Sequence, residues 1–107
     1  MIFWDENLYT DSRVARHLAR YQKRVEKKGF PRGFCVVLGD NPENSLEVYS
    51  SRTVWFRYQK EQGVHVVGLA LGYDRALKLV QQIVSDVYRK NGVVDSRKIR
   101  EYFAWKP

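Results

Sequence analysis

The sequence predicts an α+β domain: a small, mainly antiparallel sheet of three or four strands packed with helices, including a basic N-terminal helix and a long helix in the second half. Three observations lead there. Residues 10–29 and 72–90 carry apolar residues at helical spacing, and between them lie short runs rich in β-formers at 34–38, 46–49 and 64–71. The chain has 107 residues, the size of one ordinary domain, so 1–107 reads as a single unit. Its apolar share of 44% and charged share of 29% place it among globular chains, able to bury enough surface to offset chain entropy.

The elements follow in order. Ile2 to Trp4 adds a fourth strand if it pairs. From 10 to 29, Thr10, Asp11 or Ser12 caps the start, Gly29 supplies the left-handed stop and Pro31 follows. Val14, Leu18, Tyr21 and Val25 recur at steps of four, three and four, so they share one face of a single helix, with Arg16, Arg20, Lys23 and Lys27 opposite. Residues 34–38 and 46–49 read as two strands joined by the turn-rich loop 39–45. Within 52–62 the run Thr53-Val54-Trp55-Phe56 favours strand. The punctuation of Ser50 or Ser51 before it and Gly63 after it favours a short helix, which is the reading adopted.

Residues 64–71 are almost continuously apolar, as expected of a central strand covered on both faces. A long helix then opens at Gly72-Tyr73-Asp74, with Leu77, Val80, Val84, Val87 and Tyr88 as its buried face and Asn91-Gly92 as its stop. Asp95 or Ser96 caps a last short helix carrying Ile99, Tyr102 and Phe103. Helices on one face of so small a sheet would leave the other face, or a free edge, for a second copy, so a homodimer is expected.

Trp4-Asp5-Glu6 with Leu8-Tyr9, the basic helix, the strand followed by an Asn-Pro loop, and Val67-Gly68-Leu69-Ala70-x-Gly72-Tyr73-Asp74-x-Ala76-Leu77 together resemble a group of small uncharacterised bacterial proteins over nearly the whole chain. The resemblance implies a bacterial α+β domain. With no established activity in that group, it carries over no functional residue.

Charge supplies the functional signal. Residues 13–28 hold seven Lys or Arg against one acid, Glu26, and so provide six of the seven net positive charges. A cationic surface this localised points to an anionic partner. Arg16, Arg20, Lys23 and Lys27 are the candidate contacts to nucleic acid or another anion, positioning a backbone without reading sequence; an acidic protein is the other candidate partner. Membrane-surface binding is disfavoured, because the apolar stripe of that helix is needed by the core and lacks Trp and Phe bulk. The alternative is a protein-interaction or self-assembling module in which the basic helix is merely solvated, with Trp55, Tyr58 and Trp105 as interface anchors. An enzyme is the third and least favoured reading.

No catalytic, cofactor or metal motif accompanies the charge. His65 alternates with Val64 and Val66 and reads as a hydrogen-bonded core histidine, while His17 sits at the edge of the basic face. Cys35, the single cysteine, reads as a small buried apolar group. Gly68 and Gly72 match neither the dinucleotide fingerprint nor the P-loop and read as packing and helix-start glycines. Asp40, Glu43 and Glu47 are ordinary loop chemistry. Trp55-Phe56-Arg57-Tyr58 interleaves rings with a cation as stacking platforms do, but core burial is the stronger account of its rings. A lone cysteine, no signal-like N-terminus and no long apolar run predict a cytoplasmic protein that does not span a membrane.

Overall fold

The apolar runs become four strands and five helices in a computed structural model that describes residues 2–39, 45–59 and 63–103. In chain order the elements are β1 (Ile2–Thr10), α1 (Ser12–Arg16), α2 (Leu18–Lys27), β2 (Gly33–Leu38), β3 (Leu46–Ser50), α3 (Ser51–Gln59), β4 (Val64–Leu71), α4 (Tyr73–Asn91) and α5 (Ser96–Tyr102). Strand order is β1-β4-β2-β3. The pairings β2–β3 and β2–β4 are antiparallel and β1–β4 is parallel, so the sheet is mixed rather than strictly antiparallel. The parallel pair arises because the N-terminal strand is longer than its first three residues suggested. It pairs with β4 at Ile2–Trp4, breaks register, and pairs again at Tyr9 and Thr10.

β4 is interior, between β1 and β2, in keeping with its almost continuous apolar run. Helices cover both faces of the sheet, not one. Cys35 and Val37 of β2 with Val64, Val66 and Leu69 of β4 form one core with Val14 of α1, Val25 of α2 and Val54 of α3. Val36 and Leu38 with Val67 and Ala70 form the other with Ala76, Leu79, Ile83 and Val87 of α4, Ile99 of α5 and Phe103. Strands apolar on both sides need two covering layers. A bulge fits the two together: Val36 pairs with Gly68 and Val37 with Val66, leaving Val67 unopposed. A Cβ on Gly68 would stand 3.1 Å from Val36 Cβ and 3.3 Å from Leu79 Cδ1, so glycine lets α4 close down on the sheet.

The basic stretch is helical in two pieces, not one. At His17 the backbone leaves the helical region (φ −138°, ψ 43°), its N–H donating to Val14 O at 3.0 Å while α2 starts afresh beyond it. Asp11 is the N-cap of α1, its Oδ1 accepting from Val14 N–H at 2.9 Å and its Oδ2 from Leu71 N–H at 2.7 Å, which ties the ends of β1 and β4 to the helix start. After α2, Gly29 takes φ +72° and donates its N–H to Arg24 O at 2.9 Å. Ser51 pins the following turn: its Oγ accepts from Phe30 N–H and donates to Phe30 O, both at 2.8 Å.

Residues 52–59 belong to α3, in agreement with the helical reading; 60–62 lie outside the described residues. α4 corrects the sequence reading. Its buried residues are Ala76, Leu79, Ile83 and Val87, whereas Leu77, Val84 and Tyr88, expected inside, are exposed. Gly92 closes α4 in the left-handed region, and Asp95 caps α5 by accepting from Lys98 N–H at 2.8 Å.

Candidate anion-binding face

Helix α2 sorts its side chains by solvent. Val25 is buried, Leu18, Tyr21 and Gln22 are half-buried, and Arg20, Lys23, Arg24 and Lys27 are exposed. The separation follows from spacing, since the cations fall on the half of the helix opposite Val25. Arg16, at the end of α1, is exposed too, as are Arg13 and Lys28. Thus Arg20, Lys23 and Lys27 share one helix, and Arg16 stands beyond the break at His17. α3 packs beside α2 and adds exposed Arg52 and Arg57.

Arg16, Arg20, Lys23 and Lys27 have no ion-pair partner among the described residues. Among the described residues, the Lys and Arg ion pairs are Arg75–Asp11 and Arg89–Asp86 at 3.9 Å, Arg97–Glu101 at 3.3 Å and Lys98–Glu101 at 3.5 Å, each with its cation on α4 or α5. The one acid of α2, Glu26, instead accepts from the Trp4 indole N–H at 3.1 Å. Arg24 lies over the Phe30 ring, 4.3 Å from its centroid, and Arg57 lies as far from that of Tyr49.

The other candidates are distributed through the fold. Trp55 is half-buried on α3; Tyr58 lies in the same helix with its side chain outside the described residues, and Trp105, Asp40 and Glu43 lie outside them altogether. Glu47 accepts from the Tyr49 hydroxyl. His17 is exposed at the helix break. His65 is a core histidine, its Nε2 2.7 Å from Asp5 Oδ2 with both side chains 7% exposed, and Phe3 stands edge-on to the ring. Asp5 also accepts from Asn7 N–H at 2.8 Å. Burial pushes the Cys35 thiol up to about 12, so it stays protonated and is no nucleophile near neutral pH.

A polar cluster that sequence reasoning missed joins β1, α4 and α5. Tyr9 O–H donates to Asp86 Oδ2 at 2.6 Å, and Tyr102 O–H then donates to the Tyr9 oxygen at 2.7 Å. Burial first, then these two partners, raise the Tyr9 phenol well above its ordinary range. It thus serves as a neutral strut. Tyr9, Asp86 and Tyr102 are far apart in sequence, and no spacing rule would have grouped them.

Among the described residues no three His, Cys, Asp or Glu side chains come together to hold a metal, and no helix is long and apolar enough to cross a membrane. No protein-family model, curated protein or solved structure matches this chain.

Proposed function

We propose that the protein is a non-catalytic binding domain that contacts nucleic acid through the cationic face of α1 and α2. The observation that carries this reading is the uneven use of acids. Arg16, Arg20, Lys23 and Lys27 are exposed and have no ion-pair partner among the described residues, whereas the paired cations lie on α4 and α5. A phosphate backbone supplies the missing counter-charge and releases condensed ions in exchange. Such contacts set register without reading bases. The bidentate capacity of Arg16 and Arg20 suits phosphate oxygens, and Lys23 and Lys27 act as point charges.

The test is a titration of fluorescently labelled duplex DNA and RNA at several salt concentrations. The wild-type chain binds at low salt and loses affinity as salt rises. Reversing Arg16, Arg20, Lys23 and Lys27 to Glu makes the log–log salt slope shallower by about 3 to 4, near 0.9 per lost contact. No binding at low salt, or a slope untouched by the four changes, overturns the reading.

A further inference from the structure

We infer that the protein forms a two-fold homodimer through the exposed flank of α4, with the two copies of that helix antiparallel. Tyr73, Leu77, Val84 and Tyr88 are 51%, 39%, 37% and 60% exposed. Near 100° per residue they lie within about 60° of one another, a third of a turn round from the stripe that α4 buries in the core. Val80, half-buried, joins the two stripes. Beside the flank, on the same side of the sheet, Phe34 of β2 with Leu46 and Val48 of the edge strand β3 continue the apolar surface, and the Phe34 ring meets that of Tyr73 at 5.8 Å. The helix therefore has far more apolar surface than its own core takes up.

A second copy of this chain suits that surface because the stripe is symmetric along its length. About a midpoint between Val80 and Gln81, Tyr73 and Tyr88 stand equally far out, about 11 Å at 1.5 Å per residue, and so do Leu77 and Val84, at about 5 Å. Reversing the helix leaves the order aromatic, aliphatic, aliphatic, aromatic. An isologous contact requires this, since each patch must complement itself. Charge agrees with the direction. Asp74, exposed and without an ion-pair partner among the described residues, borders the stripe at one end, and Arg89, 77% exposed and 3.9 Å from Asp86, lies farther round the helix on the same side at the other. Antiparallel copies bring Asp74 within about 3 Å, along the axis, of the level of the partner copy's Arg89, twice over by symmetry. Parallel copies would set Asp74 level with its own counterpart across the seam and leave it without this match.

The area is sufficient. Two tyrosines and two aliphatic residues at these exposures present on the order of 400 Å² of apolar surface. That is close to the apolar share of the roughly 800 Å² that each partner contributes to a standard interface, the rest being polar rim. The antiparallel arrangement also turns the α1–α2 layers of both copies to one side of the dimer. Only that last consequence touches the proposed nucleic-acid contact; the dimer stands without it.

Sedimentation of the full chain over a range of concentrations tests the inference. The wild-type chain sediments at twice the monomer mass, and Val84→Glu or Leu77→Glu, both at exposed positions, returns it to monomer mass with its circular dichroism unchanged. Asp74→Arg weakens the dimer about tenfold, and adding Arg89→Asp restores it. Under oxidation Gln81→Cys, next to the axis, cross-links to its own copy and Tyr73→Cys does not. A monomer at high micromolar concentration, a dimer indifferent to Val84→Glu, or cross-linking through Tyr73→Cys instead of Gln81→Cys overturns it. Charge reversal on α2 leaves the mass unchanged, so failure of the nucleic-acid reading and failure of the dimer are separable.

Discussion

Helices α2 and α4 each press one apolar stripe against the same four-stranded sheet, from opposite faces, yet they turn different chemistry outward. α2 hides Val25 and shows Arg20, Lys23 and Lys27, with its single acid held by a tryptophan. α4 hides Ala76, Leu79, Ile83 and Val87 and shows Tyr73, Leu77, Val84 and Tyr88, and its Arg75 and Arg89 both lie near carboxylates. The core's demand for apolar surface therefore explains only half of each helix. What is left over among the described residues is charge without an ion-pair partner on one side and exposed hydrocarbon on the other.

The sharpest way to break this comparison is to cut into α4 at two adjacent residues. Ile83 is fully buried and Val84 is 37% exposed. Ile83→Ala is expected to cost about 2–5 kcal/mol in urea unfolding, from lost transfer energy and an unfilled cavity. Val84→Ala, measured where the chain is monomeric, is expected to change stability by less than about 0.5 kcal/mol. Equal losses at both positions would mean that the exposed stripe serves the fold after all.

A somewhat smaller effect is expected on the other side of the sheet, at Gly29. A Cβ there would lie 2.6 Å from Arg52 N and from Ser51 C, backbone atoms that cannot swing aside, and the φ of +72° adds its own strain. Gly29→Ala is expected to cost about 2 kcal/mol or more. By contrast, charge reversal at Arg20 or Lys23 on the same layer should stay within about 0.5 kcal/mol, as for other exposed side chains. If Gly29→Ala is neutral by thermal or urea unfolding, the tight seat of α2 against α3 is wrong.

Much of this fold was legible because it is local. The caps at Asp11 and Asp95, the stops at Gly29 and Gly92, and the interior run of β4 are each set by neighbours in sequence. The break at His17 was hidden, because Val14, Leu18, Tyr21 and Val25 keep helical spacing straight through it. β1 was under-read: Asp5, Glu6 and Asn7 interrupt its apolar character, and its pairing depends on β4, some sixty residues away. The face of α4 was mistaken for a different reason. Periodicity gives the width of an apolar sector but not which half of it meets the sheet, and here that sector is wider than the sheet requires. For the cationic face, spacing alone separated Arg20, Lys23 and Lys27 from Val25. That none of the described acids pairs with these cations is a tertiary fact. The sheet with two covered faces could have been read from Cys35-Val36-Val37-Leu38, apolar at every position.

The smallest effect, and the one that compares the two cores directly, is alkaline. Cys35 points into the core beneath α1, α2 and α3, and Tyr9 bonds to Asp86 of α4 and Tyr102 of α5. Both groups have their pKa raised in the folded chain, the thiol from about 9 to about 12 by burial and the phenol above its usual 10 by burial and its two partners. The unfolded chain therefore releases each proton first. It binds fewer protons than the folded chain in this window, so stability must fall as pH rises, by at most about 1.4 kcal/mol per pH unit for a single group. Below about pH 8 neither group contributes an appreciable slope. The Cys35 loss reaches half its slope near pH 9 and the Tyr9 loss near pH 10. Urea unfolding from pH 8 to 11 should then show Cys35→Ala flattening the curve from its beginning and Tyr9→Phe flattening only its upper part. Because slopes are compared, the constant cost of each substitution cancels. If Tyr9→Phe flattens the curve between about pH 8 and 9 as much as Cys35→Ala does, or neither variant changes it, the two cores do not hold these groups protonated as their burial and bonding require.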